Sequence, residues 1–285
     1  MIVITGATGV LNGATVEQLL KRIPADQIGV SVRDTGKAQH FADRGVRVRR
    51  GSYADPAALR DSFEGADQVL LVSSNDPAAD SVELLRVGIE AAVAAGSGRI
   101  LYTSHQHTGA DSPFFPARHH AATEELLADS GAAWTSLRNG FYAHSLDWLL
   151  GPWRETGVIA TPADGPVSWT ERADEAEGAA VILAGGRPFD GPVTLTASAA
   201  VTFDEIAQIA SELTGRDIRR VVVGDDEWVA GQVAQGHPEP MARFLLGFYQ
   251  AAREGRFAGV DPLLGELLGR QPRTVRELLA ERTAA

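Results

Sequence analysis

The stretch Thr5-Gly-Ala-Thr-Gly-Val-Leu-Asn-Gly13 decides the fold, because it joins an apolar run at Ile2–Thr5 to an amphipathic segment at Val10–Lys21. A glycine turn at such a junction lets the backbone approach a pyrophosphate, and the following helix offers free amides and the positive end of its dipole. The spacing is Gly6-x-x-Gly9-x-x-Asn12, so asparagine replaces the third glycine of the usual series. We predict a strand, a phosphate-binding loop and a helix, with Asn12 either narrowing the loop or donating its amide to a phosphate.

Short apolar runs alternate with amphipathic segments through the first half of the chain. This alternation is typical of a parallel sheet wrapped by helices, and right-handed crossovers then give one doubly wound, Rossmann-type α/β sheet. The predicted strands are Ile2–Thr5, Ile28–Val32, Val46–Arg49, Gln68–Ser73, Arg99–Thr103 and Trp134–Leu137. The predicted helices, with apolar residues three and four positions apart, are Val10–Lys21, Gly36–Arg44, Pro56–Phe63, Asp80–Ala95 and Arg118–Asp129.

The pattern loosens after about residue 140. Two extended pieces and four helices are predicted there, at Gly157–Ala160, Val193–Thr196, Arg172–Ala184, Phe203–Leu213, Asp226–Ala234 and Glu239–Arg253. We expect a dinucleotide-binding domain over residues 1–140, to which some later segments return, and a smaller, mostly helical substrate-binding lobe over residues 141–285. The cleft between them is expected outside the carboxyl ends of the strands, where ligands of such sheets bind.

The composition narrows the classes of function. The 285 residues include no cysteine, which excludes disulfides, thiolate metal sites and a cysteine nucleophile. The net charge of −11 opposes binding to nucleic acid, and no apolar run approaches the roughly 20 residues of a membrane span. We expect a soluble cytoplasmic protein with a small-molecule substrate and no contact with membrane or nucleic acid. Whether it forms a homo-oligomer is left open.

The residues after the second strand bear on the choice of dinucleotide. A site that binds the ribose 2′-hydroxyl places a carboxylate there, whereas this chain has Arg33, followed by Asp34, Thr35 and Lys37. A guanidinium pairs with a phosphate in a bidentate way, and a lysine adds a further donor. The pattern favours NADP(H), with Arg33 and Lys37 on the 2′-phosphate. NAD(H) stays open as the alternative, because Asp34 could bind a ribose diol.

Several motifs spread over nearly the whole chain form a further set. They are Thr5-Gly-Ala-Thr-Gly9, Val32-Arg33 with Lys37, Leu70-Leu-Val-Ser-Ser-Asn75, Tyr102-Thr-Ser104, His120-Ala-Ala-Thr-Glu-Glu-Leu-Leu-Ala-Asp-Ser-Gly131, Leu137-Arg-Asn-Gly-Phe-Tyr142 and Arg172-Ala-Asp174. Together they resemble the NmrA-like atypical short-chain dehydrogenase/reductases, particularly the branch of type 2 NAD(P)H:quinone oxidoreductases. The resemblance implies a cofactor surrounded by Gly6, Thr8, Val10, Arg33, Ser73, Ser74, Ser104, His120, Asn139 and Phe141, to which the loop adds Gly9 and Asn12.

The usual catalytic pair of short-chain dehydrogenases is excluded. No lysine occurs after Lys37, so a tyrosine cannot be activated by a lysine four residues on. His120 stands in the corresponding region, on the helix after the fifth strand, where a neutral imidazole could bond the nicotinamide ribose or relay a proton. We expect contact with the cofactor to be its main role. The catalytic candidates are His120, Tyr142 and Ser104.

Histidine and aromatic side chains supply the candidates for substrate binding. His105 and His107 follow a strand, but without a third ligand at suitable spacing they predict no metal site. The substrate candidates are His105, His107, Phe141, Tyr142 and Trp148. Flat apolar side chains favour a planar aromatic substrate, although each aromatic residue taken alone is more readily explained as part of the core.

These residues and the resemblance predict an NAD(P)H-dependent oxidoreductase that transfers hydride to a quinone or a polycyclic aromatic carbonyl. A quinone needs little beyond stacking on the nicotinamide and a donor to its oxygen. One alternative is a tailoring monooxygenase that hydroxylates an aromatic polyketide-like substrate without flavin or metal, because a reduced aromatic ring system can itself react with oxygen. The other is a non-catalytic redox sensor that binds the dinucleotide and regulates a partner.

Overall fold

The computed structural model describes residues 1–74, 79–185 and 189–284, so Asn75 of one quoted motif lies outside the described residues. The strands are β1 Ile2–Thr5, β2 Ile28–Val32, β3 Arg47–Arg50, β4 Gln68–Leu71, β5 Arg99–His105, β6 Ala133–Asn139, β7 Phe141–Tyr142, β8 Val158–Thr161, β9 Trp169–Thr170, β10 Gly191–Leu195 and β11 Arg219–Val222. The α-helices are α1 Val10–Leu19, α2 Gln39–Ala42, α3 Pro56–Phe63, α4 Ser81–Ala94, α5 Phe115–Asp129, α6 Leu146–Leu149, α7 Trp153–Thr156, α8 Arg172–Ala184, α9 Phe203–Thr214, α10 Asp225–Ala234, α11 Glu239–Arg253, α12 Leu263–Leu268 and α13 Val275–Ala284.

Seven parallel strands form the central sheet, in the order β10-β6-β5-β4-β1-β2-β3. The chain moves outward from β1 in one direction through β2 and β3, then returns to the other side of β1 with β4. β1 is buried along its whole length, as its unbroken apolar run predicts for a central parallel strand. The expected Rossmann-type α/β fold is confirmed, and the reversal beside β1 marks where a ligand cleft belongs.

The strands that lead to this cleft end at different residues than the sequence predicts. β5 and β6 each run two residues further, to His105 and Asn139, because their ends stay in register with His105 opposite Asn139. β4 is shorter than predicted and ends at Leu71. The next amide, that of Val72, donates to the Thr5 hydroxyl and not to a carbonyl of a neighbouring strand. Pairing between the two longer strands therefore places His105 and Asn139 side by side at the carboxyl edge.

The helix predicted at Gly36–Arg44 is divided. Residues Gly36–Ala38 form a 3-10 turn, and only Gln39–Ala42 are α-helical. The Asp34 carboxylate accepts a hydrogen bond of 3.0 Å from the Gly36 amide, which folds the chain into a turn directly after β2.

Helices cover both faces of the sheet. On one face α8 packs between α1 and α12, and its Ala180 and Leu183 share an apolar cluster with Ile4 of β1. On the other face α3, α4 and α5 pack in succession against the same sheet. Among the described residues, no helix combines the length and the apolar character that crossing a membrane would require.

The second half of the chain contributes to the sheet and also forms a second apolar cluster, and the elements around this cluster are here called the lobe. β10 pairs with β6, so this strand and α8 belong to the sheet layers. The lobe contains the two-stranded pairs β7–β9 and β8–β11 together with α9, α10, α11 and α13. It surrounds an aromatic cluster formed by Phe114, Phe141, Trp169, Phe203, Phe248 and Phe257.

Candidate active site

The loop between β1 and α1 has the geometry of a phosphate cradle. Gly6 has a φ of +66°, and a Cβ atom there would lie 2.5 Å from Val72 Cγ1, so this position requires glycine. Thr8, Gly9 and Val10 are exposed, and the N-cap residue Gly9 supplies no side-chain hydrogen bond to the first amides of α1. An uncapped helix end of this kind fits an anionic group such as a pyrophosphate.

Asn12 corrects one expectation. Its side chain is only 1% exposed, and its amide nitrogen donates 2.8 Å to the carbonyl oxygen of Thr5 at the end of β1. The donor that was expected at a phosphate is therefore directed into the fold. The side-chain oxygen of Asn12 is buried without a hydrogen-bond partner among the described residues. Asparagine therefore replaces the usual third glycine at some cost in stability, because one buried polar atom is left without a hydrogen bond.

A group of cations stands at the ends of β2 and β3. Arg33 and Lys37 are exposed, and Arg33 forms no ion pair with the described residues. Asp34, the acid that could have bound a ribose diol, has one carboxylate oxygen engaged by Gly36. Arg50 is the last residue of β3 and pairs with Val32, the last residue of β2. Arg33 follows Val32 directly, so the two arginines lie at neighbouring strand ends. Arg50 was not among the residues that the sequence assigned to the cofactor.

The carboxyl ends of β1, β4 and β5 are tied together by hydroxyl groups. The Tyr53 hydroxyl lies 2.9 Å from Thr5 Oγ1 and donates to the Val72 carbonyl, and burial raises the pKa of Tyr53 to about 12. The Ser73 amide donates to Thr103 Oγ1 over 3.2 Å. Ser73 and Ser74 are half-buried at this edge, and their contact with the cofactor stays a prediction.

His120 is held by a tyrosine that the sequence did not single out. The Tyr102 hydroxyl lies 2.7 Å from Nδ1 of His120. Burial lowers the pKa of His120 to about 3, with help from the neighbouring imidazoles of His105 and His119, and burial also raises the pKa of Tyr102. The imidazole is therefore neutral at physiological pH. If the phenol donates to Nδ1, the proton of the ring is on Nε2, which makes no hydrogen bond with the described residues.

Ser104 belongs to a buried network around Glu124, which corrects its assignment as a catalytic hydroxyl. Its Oγ donates 2.7 Å to the Glu124 carboxylate, which also accepts from Ser136, Thr108 and Arg138. Burial acts to raise the pKa of Glu124, but the hydrogen bonds from Arg138, Ser136 and Ser104 outweigh it and leave that pKa lowered. The Ser104 proton is thus committed to an ionised carboxylate that joins α5 to β5 and β6.

His105 sits among the rings of the aromatic cluster. Its ring centroid lies 5.6, 5.4 and 5.3 Å from those of Phe114, Phe141 and Phe257, and 6.3 Å from that of His120. Nδ1 donates 2.8 Å to the Gln106 carbonyl, which leaves the lone pair of the buried Nε2 without a described partner. Burial lowers the pKa of His105 to about 4, so this residue presents a neutral hydrogen-bond acceptor.

Phe141 is a core residue, which corrects its expected exposure to cofactor and substrate. Its ring is buried between Trp169, Phe248 and Phe257, with centroids 5.5, 4.5 and 5.3 Å away. The ring therefore packs against His105 as part of the aromatic cluster. The next residue, Tyr142, is half-buried instead and remains a candidate for contact with ligands.

Two other substrate candidates lie on the surface. Trp148 on α6 is 48% exposed and makes no ring contact with the described residues. His107 is exposed, has a φ of +52°, and its charge acts on Asp111. Neither side chain joins His105 and His120 among the described contacts.

Asn139 ends β6, and Tyr142 ends the short strand β7 that follows it. The Asn139 side chain acts to lower the pKa of the Tyr142 phenol, and its oxygen is buried without a described partner. Burial raises the pKa of Tyr142, and the charge of Glu175 raises it further. Glu175 was missed in the sequence because an acidic residue in the first turn of a helix is ordinarily solvated.

The loop, the open end of α1 and the cations after β2 and β3 define a dinucleotide-binding protein of the Rossmann class. The NmrA-like family model matches residues 1–277, and the chain belongs to that family. Quinone oxidoreductase 2 of Escherichia coli strain K12 is 34% identical over 278 residues, covering 97% of this chain and 96% of the relative.

Two solved structures resemble the fold over nearly its full length. The NADPH complex of the NADPH-dependent quinone oxidoreductase from Escherichia coli superposes with a TM-score of 0.93 at 32% identity, over 99% of this chain and 100% of the other. Triphenylmethane reductase from Citrobacter sp., complexed with NADP(H), superposes with a TM-score of 0.89 at 32% identity, over 99% of each chain.

Proposed function

We propose that this protein is an NADP(H)-dependent oxidoreductase that reduces a quinone or a similarly flat, conjugated aromatic compound. The observation that carries the proposal is the position of His105, enclosed by phenylalanine rings and adjacent to His120, at the carboxyl edge of the sheet. Relatives named for quinone and triphenylmethane reduction support a conjugated acceptor.

The cofactor side is assigned to the β1–α1 loop and the cations beyond it. The amides of Thr8 and Val10 would bind the pyrophosphate, since the N-cap residue Gly9 has no side chain to cap the start of α1 and its own amide donates to the Gly6 carbonyl. Arg33, with Lys37, would bind the 2′-phosphate, because Arg33 is exposed and forms no ion pair with the described residues. Arg50 is a further candidate for the same phosphate. When bound, the reduced dinucleotide supplies a hydride.

The protein's own groups then orient the substrate. His120, held by Tyr102, would present its Nε2–H to the nicotinamide ribose, and His105 would accept a hydrogen bond through Nε2. Tyr142 would face the substrate from the lobe, for which we propose residues 141–285 apart from segments such as α8 and β10 that return to the sheet layers. The buried rings around His105 would strengthen its polar contact with a substrate, because a site lined by them leaves little room for competing water.

The test is anaerobic oxidation of NADPH with a panel of acceptors that includes a naphthoquinone and a triphenylmethane dye. We expect one equivalent of quinone reduced for each NADPH consumed. Oxygen incorporated into an aromatic product, measured in air with labelled oxygen, would instead mark the monooxygenase. Tight NADPH binding without oxidation by any acceptor would refute the reductase and leave the sensor.

A further inference from the structure

His105 has a fixed tautomer. Its Nδ1 atom lies 2.8 Å from the backbone carbonyl oxygen of Gln106. A carbonyl oxygen can only accept, so Nδ1 carries the ring proton and Nε2 carries a lone pair. Burial lowers the pKa of His105 to about 4, which keeps the ring neutral at physiological pH. At Nε2 this side chain can therefore accept a hydrogen bond but cannot donate one.

The protein supplies no donor for this lone pair. Nε2 of His105 is buried and has no hydrogen-bond partner among the described residues. The rings of Phe114, Phe141 and Phe257, which pack around the imidazole, carry no polar atom. A buried acceptor without a hydrogen bond is costly. Packing explains Nδ1, which binds Gln106, but not Nε2, and a ligand with a donor group would satisfy it.

The neighbouring His120 places this acceptor beside the cofactor half of the cleft. Nδ1 of His120 is occupied by the Tyr102 hydroxyl at 2.7 Å, and its Nε2 is assigned above to the nicotinamide ribose. The centroids of the His105 and His120 rings are 6.3 Å apart, and the ring planes are inclined by only 28°. His105 therefore lies next to the residue assigned to the cofactor, where a compound that accepts hydride must also lie.

Aromatic rings connect His105 to the surface of the lobe. Phe244 on α11 is 38% exposed, and its ring centroid lies 6.2 Å from that of Phe114. The Phe114 centroid lies 5.6 Å from that of His105, whose side chain as a whole is half-buried. A flat ligand that packs among these rings meets apolar surface from the phenylalanines and one acceptor, the lone pair of Nε2.

We propose that His105 selects substrates that carry a hydroxyl group on their conjugated ring system, by accepting a hydrogen bond from that hydroxyl through Nε2. This selectivity rests on the reductase function proposed above and narrows its substrate class to hydroxylated quinones and related hydroxyaryl carbonyl compounds. An unsubstituted quinone has only acceptor oxygens, so its binding would leave Nε2 without a partner. A site with a buried polar group discriminates strongly against a substrate that lacks the matching group.

The first arm of the experiment uses the unaltered protein and pairs of substrates. Naphthoquinones and anthraquinones with one phenolic hydroxyl group are each compared with their methyl ethers in anaerobic oxidation of NADPH. The methoxyl group cannot donate a hydrogen bond, and reduction by borohydride without protein corrects for differences in inherent reactivity. We expect kcat/KM to be at least tenfold higher for the hydroxyl compound of one or more pairs. Equal kcat/KM within every pair would overturn the proposal.

The second arm repeats the comparison with variants. His105→Phe removes the acceptor and keeps a flat ring, so the preference for the hydroxyl compound should vanish. Its kcat/KM for the methyl ether and its NADPH dissociation constant should change less than about threefold. His105→Gln keeps an acceptor oxygen and should restore part of the preference, whereas His119→Phe makes the same change on α5 and should retain all of it. A preference that survives His105→Phe would contradict the assignment.

The third arm identifies the donor by nitrogen NMR of isotope-labelled histidines. In the free protein His105 should carry a proton on Nδ1 and none on Nε2. The Nε2 resonance should shift when the hydroxyl compound is added to the complex with NADP⁺, and should not shift with the methyl ether. A shift on addition of NADP⁺ alone would overturn the proposal, because the donor would then be the carboxamide of the cofactor. No shift with either compound would also overturn it and leave the acceptor to a buried water molecule.

The arms separate failure of this selectivity from failure of the reductase function. If the unaltered protein oxidises no NADPH with any acceptor, the reductase function fails, and the NMR spectra alone decide whether His105 binds a hydroxyl group. If NADPH is oxidised with equal kcat/KM within every pair, the reductase function stands and the selectivity is refuted.

Discussion

Replacement of His120 by glutamine separates binding from proton transfer. His120 is neutral because burial lowers its pKa to about 3, so it cannot deliver an imidazolium proton at physiological pH. What it can give is one hydrogen bond through Nε2, since Nδ1 is held by Tyr102 at 2.7 Å. Losing or lengthening one such bond costs about 0.5–1.5 kcal/mol. The Michaelis constant for NADPH should therefore rise roughly twofold to twelvefold, while glutamine keeps a donor near the same place.

The assay is steady-state oxidation of NADPH with saturating quinone, together with fluorescence titration of NADPH. The turnover number should fall less than about tenfold, because an imidazole that burial keeps neutral is not the source of the proton. His119→Gln, one residue earlier on α5, is the matched control and should change neither constant. A loss of roughly 100-fold or more in turnover with unchanged NADPH affinity would refute this reasoning, because it is the signature of a missing acid or base.

Three further predictions concern the cofactor and the stability of the fold. Arg33→Ala should weaken NADPH binding by about 1.5–3 kcal/mol and leave NADH binding unchanged, as measured by calorimetry; equal affinity of the parent for the two would contradict it. Gly6→Ala should abolish tight NADPH binding and lower the melting temperature, because the new methyl group would lie 2.5 Å from Val72 Cγ1 at a φ of +66°. Stability should fall on acidification: His105 and His120 take up protons near 6.5 when unfolded but only near about 4 and about 3 when folded. The free energy of unfolding should fall by about 1.4 kcal/mol per pH unit for each histidine between pH 6.5 and about 4. A free energy of unfolding, measured by urea denaturation, that stays constant over this range would exclude this prediction.

The parts of the fold that the sequence predicts well are those that carry their own pattern. α3 over Pro56–Phe63 and β1 over Ile2–Thr5 have the predicted bounds, because each combines a clear apolar pattern with a local stop signal. The family and the Rossmann-type sheet follow from the same regularity. The ends of β5 and β6 could not be predicted, since their polar residues extend the ladder only when the two strands lie in register.

The sequence predicted which edge of the sheet the candidate residues occupy better than it predicted their contacts. The glycines, cations and histidines that follow strands all lie at the carboxyl edge of the sheet. The directions of Asn12 and Ser104 depend on acceptors supplied by Thr5 and Glu124, and a sequence pattern does not specify such tertiary partners. Glu175 looks like an ordinary solvated acid until α8 is packed on the sheet, and burial is what changes its chemistry.

The Glu124 network has a mechanical consequence. Donors from β5, the following loop and β6 converge on one carboxylate of α5, so this helix cannot slide or tilt without breaking several charge-assisted bonds at once. His120 lies one turn earlier on the same helix and shares that stiffness. If the substrate is the flat aromatic compound proposed above, we expect the motion that admits and releases it to occur in the lobe, because the sheet side of the cleft is fixed by this network.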